Sequence, residues 1–432
     1  MTSPPSQHSN PDNIHDAEAK FHIVDLFAGP GGLDVAAHFL GVETVGIEWD
    51  ANACETRYQA GLPTIHADVS KMRKDRLAEL PKGINVLAGG PPCQTFSVAG
   101  KGAGRHALEE VKGFITRLVE GKEAPEVIDK ELADLGDSRT ALVLEPLRWV
   151  MAAIEKGTPY KAIVLEQVPT VLPLWEVYKE VLESGRLPKK VKYRAQCGTL
   201  KTEEYGVPQS RRRAVLIARL DGHGDVALPS TTHRPFLRPK IDAELTLDSA
   251  LSMSSATSEE QSFAHRKLPW VSMGEVLKET SREVGRPSPF VVVSNYGSGG
   301  DPKNRGRRLS SEPAFTVTGK VSRNAVQSVG GRPLPRFTIP ESGLLQTFPY
   351  DFPWSGRDQS QQVGNAVPPR FAVHLIAAAL GLGEDRVNSA LTSMERWPAA
   401  SPELVRQLRR DGCGDGSNCP PRPTHPPLTS RD

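Results

Sequence analysis

Cys93 sits in Gly89-Gly90-Pro91-Pro92-Cys93-Gln94-Thr95-Phe96-Ser97, directly after a short apolar run at 86–88. Two prolines fix two φ angles just before the thiol and hold the sulfur at small entropic cost. The carboxyl end of a strand is where open α/β sheets place ligands, whereas a structural cysteine belongs in a core and not in a Gly-Gly-Pro-Pro loop. Cys93 therefore reads as a nucleophile. A second group of residues suits a nucleoside. Ala28-Gly29-Pro30-Gly31-Gly32 follows the apolar run 21–27, and glycines in that place let backbone approach a ligand while the next helix presents free N–H groups. Glu48, roughly 20 residues on, ends a second run, where a carboxylate accepts ribose hydroxyls. Trp49 beside it offers a face to a purine, and Asp68, followed by Val69, ends a third run where a carboxylate takes an exocyclic amine. Either acid alone is more simply a surface carboxylate; the set is not. A nicotinamide dehydrogenase opens in the same way, so the reacting centre must discriminate.

Bringing these residues together requires an α/β framework. Runs at 21–27, 43–47, 86–88, 162–165 and 214–218 alternate with helical stretches, which predicts parallel pairing in a doubly wound, Rossmann-like sheet. Between 101 and 156 the chain is charged and Leu-bearing, with 140–153 the clearest amphipathic helix. From about residue 228 Pro, Ser, Thr and Arg rise and the alternation fades, predicting a second, smaller domain of irregular or β structure over 228–350. An apolar, Ala-rich helix at 371–382 needs a surface to cover it, so 351–385 is expected to return to the first domain, 21–227. Residues 1–20 read as a disordered lead, and 386–432 as a tail that is disordered from about residue 411.

Five cysteines scattered over 432 residues make no disulfide framework, and a reducing compartment keeps them as thiols. Cys54 and Cys197 read as core thiols; Cys413 and Cys419, with one histidine nearby, are too few for zinc, and no metal is expected. The N-terminus lacks the apolar stretch of a secretion signal and no apolar run reaches bilayer length, so a cytoplasmic location is expected. The net charge of +2 leaves a polyanion to a local patch. Between 301 and 336, eight basic residues stand against two acidic ones, a pattern that on its own is more often a solvated loop.

Asp25-Leu26-Phe27-Ala28-Gly29-Pro30-Gly31-Gly32, Pro91-Pro92-Cys93-Gln94, Glu166, Gln209-x-Arg211-x-Arg213 and Gln362-Val363-Gly364-Asn365-Ala366-Val367-Pro368-Pro369 resemble, in order and over about 21–382, the motifs of the DNA (cytosine-5)-methyltransferases of bacterial restriction-modification systems. The resemblance implies a methyltransferase domain using S-adenosyl-L-methionine, held by Phe27, Gly29, Gly31, Gly32, Glu48, Trp49, Asp68, Val69, Pro91, Asn365 and Val367. It implies double-stranded DNA as partner, with the target cytosine swung out by about 180°. Cys93 would add to carbon six of the base, because carbon five is too poor a nucleophile until the ring becomes an enamine. Glu166, ending the run 162–165, would protonate or hydrogen-bond ring nitrogen three. Arg211 and Arg213 would orient that carboxyl, hold the cytosine carbonyl or bind a flanking phosphate; without the resemblance they are as readily a surface basic cluster. Gln94, Ser97 and Gln209 would contact DNA, as would Arg305, Arg307, Arg308 and Lys320 from the variable, base-reading stretch 228–330. Gly100, Gly102 and Gly104 would let the loop after Cys93 close.

Two departures from the family pattern stand out. Gln167 replaces the asparagine whose amide braces the cysteine loop, and 336–349 keeps only Gln346-x-Phe348-Pro349 of its block, which is expected to join the two domains. Methylation of tRNA by the same chemistry, a DNA-binding regulator that does not need Cys93, and the dehydrogenase remain as alternatives. A monomer is expected; a restriction endonuclease of the same specificity would lie outside this chain.

Overall fold

The alternation of apolar residues in His22–Leu26 (β1) sends Ile23 and Val24 into two different cores, so this strand is buried on both faces. In the computed structural model, which describes residues 20–92, 103–121, 123, 125–134, 142–237, 267–294, 305–320 and 324–413, β1 is an interior strand, third in order, of a seven-stranded sheet. Glu43–Glu48 (β2), Thr64–His66 (β3), Val86–Gly89 (β4) and Ala162–Gln167 (β5) pair in parallel on either side of it, in the order β3-β2-β1-β4-β5. Leu26 is level with Gly89, and Gly89 with Leu165, so the loops that leave β1, β4 and β5 open along one edge.

One core packs Val24, Leu26, Leu87 and Leu165 under the helices Ala103–Glu120 (α4), Pro125–Asp134 (α5), Glu145–Glu155 (α6) and Leu172–Ser184 (α7). These follow Gly32–Phe39 (α1), Ala51–Gln59 (α2) and Val69–Asp75 (α3). The amphipathic stretch expected at 140–153 is α6, displaced by a few residues. On the opposite face Ile23, Val86, Val164 and Ile217 meet α1 and a late helix described below.

The sheet is α/β and Rossmann-like, as the sequence predicts, but its far edge is not parallel. Tyr193–Lys201 (β6), which the sequence reading missed, and Arg212–Leu220 (β7) run antiparallel to each other, and β7 runs antiparallel to β5. The expected strand at 214–218 follows another strand through a short connection that holds only a 3-10 turn at Thr202–Tyr205, too short for a crossover that would make it parallel.

A second sheet of four antiparallel strands, in the order β11-β10-β8-β9, comprises Phe290–Val293 (β8), Arg307–Leu309 (β9), Ala325–Ser328 (β10) and Pro333–Leu334 (β11). Its small core holds Phe290, Val292 and Val326, and takes Leu345 and Val363 from the chain's return. That return runs through Ile339–Leu345 (α8), opened by a Thr338–Glu341 capping box, then Gln359–Asn365 (α9) and Pro369–Leu380 (α10). α10 covers α1, as its apolar composition predicts. The segment Gln359–Leu380 is long and apolar enough by composition to cross a membrane, and it is largely buried within the protein.

The first part of the segment read as a C-terminal tail, before the stretch expected to be disordered from about residue 411, is helical. Glu384–Ser393 (α11) and Pro402–Cys413 (α12) are helices, and Trp397 between them is buried, donating Nε1 to Ala60 O at 2.9 Å. Val405 of α12 packs on Cys54 and Tyr58, burial enough to order a segment whose polar average suggests otherwise. Residues 1–19 and 414–432 lie outside the described residues.

Candidate active site

The turn after β1 needs glycine for two separate reasons. Gly31 adopts φ 105, which L side chains rarely adopt, and a Cβ on Gly32 would lie 2.1 Å from Val367 O. The glycine turn and the late Asn365-Ala366-Val367 segment are thus pressed backbone to backbone, and between them and β2 lies a cleft of about 460 Å³. Glu48 Oε2 accepts from Gly29 N at 2.7 Å, while Oε1 accepts from Trp49 N and Asp50 N, each at 2.7 Å. A carboxylate offers about four acceptor positions, so Oε2 keeps one for a ligand hydroxyl. Trp49 is 66% exposed on the rim, an unusual position for an indole unless its face is used. Asp68 caps α3 through Lys71 N at 2.9 Å and lines the cleft with Val69, Phe27, Gly29, Asn365 and Val367.

Two expected wall residues do not line it. Gly31 is backed by Leu62, whose Cδ1 would lie 2.4 Å from a Cβ there, and Pro91 turns its carbonyl toward Gln167. Asp25, Asp50 and Leu142 do line it, although the sequence reading gave them no such place. Asp25 is 1% exposed; burial first, and the neighbouring Asp34 second, push its carboxyl well above the ordinary range. Asp34 in turn is held by Arg57 through two hydrogen bonds of 2.6 and 3.0 Å, both side chains fully buried.

At the other end of the cleft Glu166 closes β5, with Oε2 against Gly90, where the cysteine loop leaves β4. Arg213 Nε stands 2.6 Å from Glu166 Oε1. Burial lowers the pKa of Arg213, and the Glu166 carboxylate opposes that shift. Gln167 resolves the question raised by its extra methylene: Nε2 donates to Pro91 O at 2.5 Å, and Oε1 accepts from Val168 N at 2.6 Å. The longer amide still braces the loop, by folding back on its own strand end. Cys93, Gln94, Ser97, Gly100 and Gly102 lie outside the described residues; Pro92, one residue before the thiol, lines the cleft, and Gly104 falls in α4.

The two arginines of the Arg-x-Arg pair have different fates. Arg211 is 3% exposed and donates to Val317 O at 2.9 Å, Gly364 O at 3.1 Å and Ala366 O at 3.3 Å. It is a strut between the small sheet and the cleft wall, and it also lines the cleft, where its buried Nε meets no protein acceptor among the described residues. Gln209, by contrast, corrects the expectation that it contacts DNA. It is wholly buried, receiving Val317 N at 2.9 Å and donating to Leu345 O at 2.9 Å and Gln346 Oε1 at 2.6 Å, with no atom left for DNA. Gln346, donating to Val363 O at 2.6 Å, completes a buried polar knot where the two sheets meet.

Among the expected DNA contacts of the small sheet, Arg307 and Lys320 are exposed and Arg305 half-buried. Arg308 points the other way along β9. Its guanidinium lies 5.1 Å from the Phe236 ring centre and 4.7 Å from that of Phe315, and Nη1 donates to Ser210 Oγ at 2.8 Å and Pro313 O at 2.6 Å. It fastens the edge strand to the segment before β7, which corrects its assignment to base contact. Alternation along a strand separates Arg307 from Arg308, a signal that treating the segment as a loop concealed.

The family model for C-5 cytosine-specific DNA methylases matches residues 21–123 and 134–380. The Type II methyltransferase M1.HphI of Haemophilus parahaemolyticus is 28% identical over 375 residues, covering 83% of this chain and 86% of that protein. M.HpaII, a Type II methyltransferase of Haemophilus parainfluenzae, is 33% identical over 386 residues, covering 85% and 92%. The solved structure of the S. pombe Dnmt2 methyltransferase aligns with 84% of this chain and 98% of its own at 16% identity and a TM-score of 0.46.

Proposed function

The chain belongs to the C-5 cytosine-specific DNA methylase family, and from that membership we propose how its own residues divide the reaction. S-adenosylmethionine supplies the methyl group as an electrophile. The cleft fits that cofactor: Glu48 offers Oε2 to a ribose hydroxyl, Trp49 an exposed face to adenine, and the narrow contact of Gly32 with Val367 leaves backbone at the ligand. Cys93 adds to carbon six of an extruded cytosine. Glu166 holds or donates a proton at ring nitrogen three as negative charge develops, and Arg213 fixes its carboxyl. Once carbon five of the base has taken the methyl group, loss of the proton at that carbon re-forms the ring double bond and expels the thiolate. The observation that carries this reading is the placement of Glu166 Oε2 against Gly90, at the start of the cysteine loop, within the cleft that Glu48 and Trp49 line.

Residues 21–227 with 351–385 form the catalytic unit, and 228–350 reads DNA, with Arg305, Arg307 and Lys320 toward the duplex. The Type II relatives support a protective role beside a restriction endonuclease of the same specificity. The protein works as a monomer in the cytoplasm, where Cys93 stays reduced. The test offers labelled S-adenosylmethionine with duplex DNA or tRNA, followed by sequencing for 5-methylcytosine. Methyl on cytosines of one short DNA site is expected; label in tRNA alone overturns the substrate.

A further inference from the structure

The two walls of the cofactor cleft come from distant parts of the chain. On one side α2 begins just after Trp49 and Asp50; on the other, Asn365 ends α9 and Ala366 and Val367 follow it. The side chain of Gln362 joins them. Gln362 is 3% exposed, and its Oε1 receives Thr56 Oγ1 at 2.6 Å across 306 positions of sequence. Its Nε2 donates to Asn52 O at 3.1 Å and Ser355 O at 2.8 Å. Two carbonyl partners fix which end of the amide is nitrogen. The backbone carbonyl of Gln362 accepts from Ala366 N at 3.1 Å, so the same residue closes the turn that carries Val367. The surroundings are built for this contact: Ser355 N donates to Thr56 Oγ1 at 2.9 Å, Arg357 N donates to Asn52 Oδ1 at 2.9 Å, and a Cβ on Gly356 would lie 2.9 Å from Asn52.

We propose that Gln362 is a positioning residue for the cofactor: it sets the separation between the Trp49–Asp50 wall and the Asn365–Val367 wall, and thereby the affinity for the adenosine-bearing ligand, without touching it. This rests on the reading of the cleft as the S-adenosylmethionine site. A buried amide satisfied at its acceptor and both donors holds its neighbours to one geometry. An apolar side chain of equal length fills the space but lets α2 drift from α9.

The test compares Gln362→Met and Thr56→Val with the parent chain, using S-adenosylhomocysteine as the calorimetric probe. Loss of one buried hydrogen-bond set raises its Kd, and the KM for S-adenosylmethionine, by about tenfold, while kcat at saturating cofactor stays within about twofold. Affinity for duplex DNA without cofactor is unchanged. The double variant falls short of the product of the single effects, because both remove one connection. Parent-like Kd in both single variants overturns the proposal, as does a fall in kcat and DNA affinity that follows a lowered Tm, which marks a general brace of the fold. Should Gln362→Met not fold, Thr56→Val alone decides by the same Kd. A parent chain that fails to bind S-adenosylhomocysteine overturns instead the assignment of the cleft.

Discussion

Glu166 and Gln167 are adjacent, yet they serve the cysteine loop from opposite sides of the strand. Glu166 lies beside Gly90 in the cleft, and Gln167 holds Pro91 O. Glu166→Gln keeps shape but cannot deliver a proton, so kcat should fall about a hundredfold or more with the cofactor Kd unchanged, as single-turnover kinetics and calorimetry can show. Gln167→Ala releases the loop instead; kcat should drop roughly tenfold while Gln167→Asn, shorter but still an amide, recovers part of it. Equal rates for the alanine and parent proteins would remove the brace from the account. Cys93 lies outside the described residues; the places of Glu48 and Glu166 in the cleft were legible in sequence because each ends an apolar run, where a sheet must present it. Arg211 and Gln209 were not: a basic triplet beside a polar residue looks like surface, and only the arrival of 317, 345 and 364–366 buries it.

At the scale of elements, α1 and α2 are tied by Asp34 and Arg57, and Arg57 also donates Nε to Thr64 Oγ1 at 2.9 Å, reaching β3. Breaking a buried pair leaves an uncompensated charge, so Arg57→Met should cost about 3–5 kcal/mol, read as a shift in denaturant midpoint. His233, in the chain leading to the small sheet, and His374 of α10 give a second prediction. Burial first, and Arg370 second, hold both imidazoles at about 4, below the ordinary 6.5. Between these values the unfolded chain binds more protons. Stability is therefore full above about pH 6.5, declines as pH falls, and levels off below about pH 4. His374→Gln should flatten that slope in thermal melts taken across the window; an unchanged slope would contradict it. The parallel strands and α10 were legible from apolar periodicity. The β6–β7 pair was not, because β6, Tyr-Arg-Ala-Gln-Cys-Gly-Thr-Leu-Lys, alternates weakly and its pairing is decided by β7.

Across the whole molecule, the chain leaves the large sheet after β7, builds the small sheet, and returns through α8 and α9 to close the cofactor wall. The knot of Gln209, Arg211 and Gln346 sits where those passages cross, so the small sheet and the cleft share one support. That crossing was legible only as a composition change near 228 and the Gln346-x-Phe348-Pro349 remnant. The helices after residue 383 were hidden by polar composition, although Trp397 and Val405 carried the signal for burial. Which arginine of β9 is exposed depended on strand alternation, and that required knowing the segment was a strand. The central claim is that Cys93 attacks the base. It is tested most directly by incubating the protein and S-adenosylmethionine with duplexes carrying 5-fluorocytosine at the methylated position, then mapping the adduct by mass spectrometry. A stable cross-link on the peptide containing Cys93, absent in Cys93→Ala, is predicted; methyl transfer that proceeds without any covalent trapping, or that survives in Cys93→Ala, would contradict it.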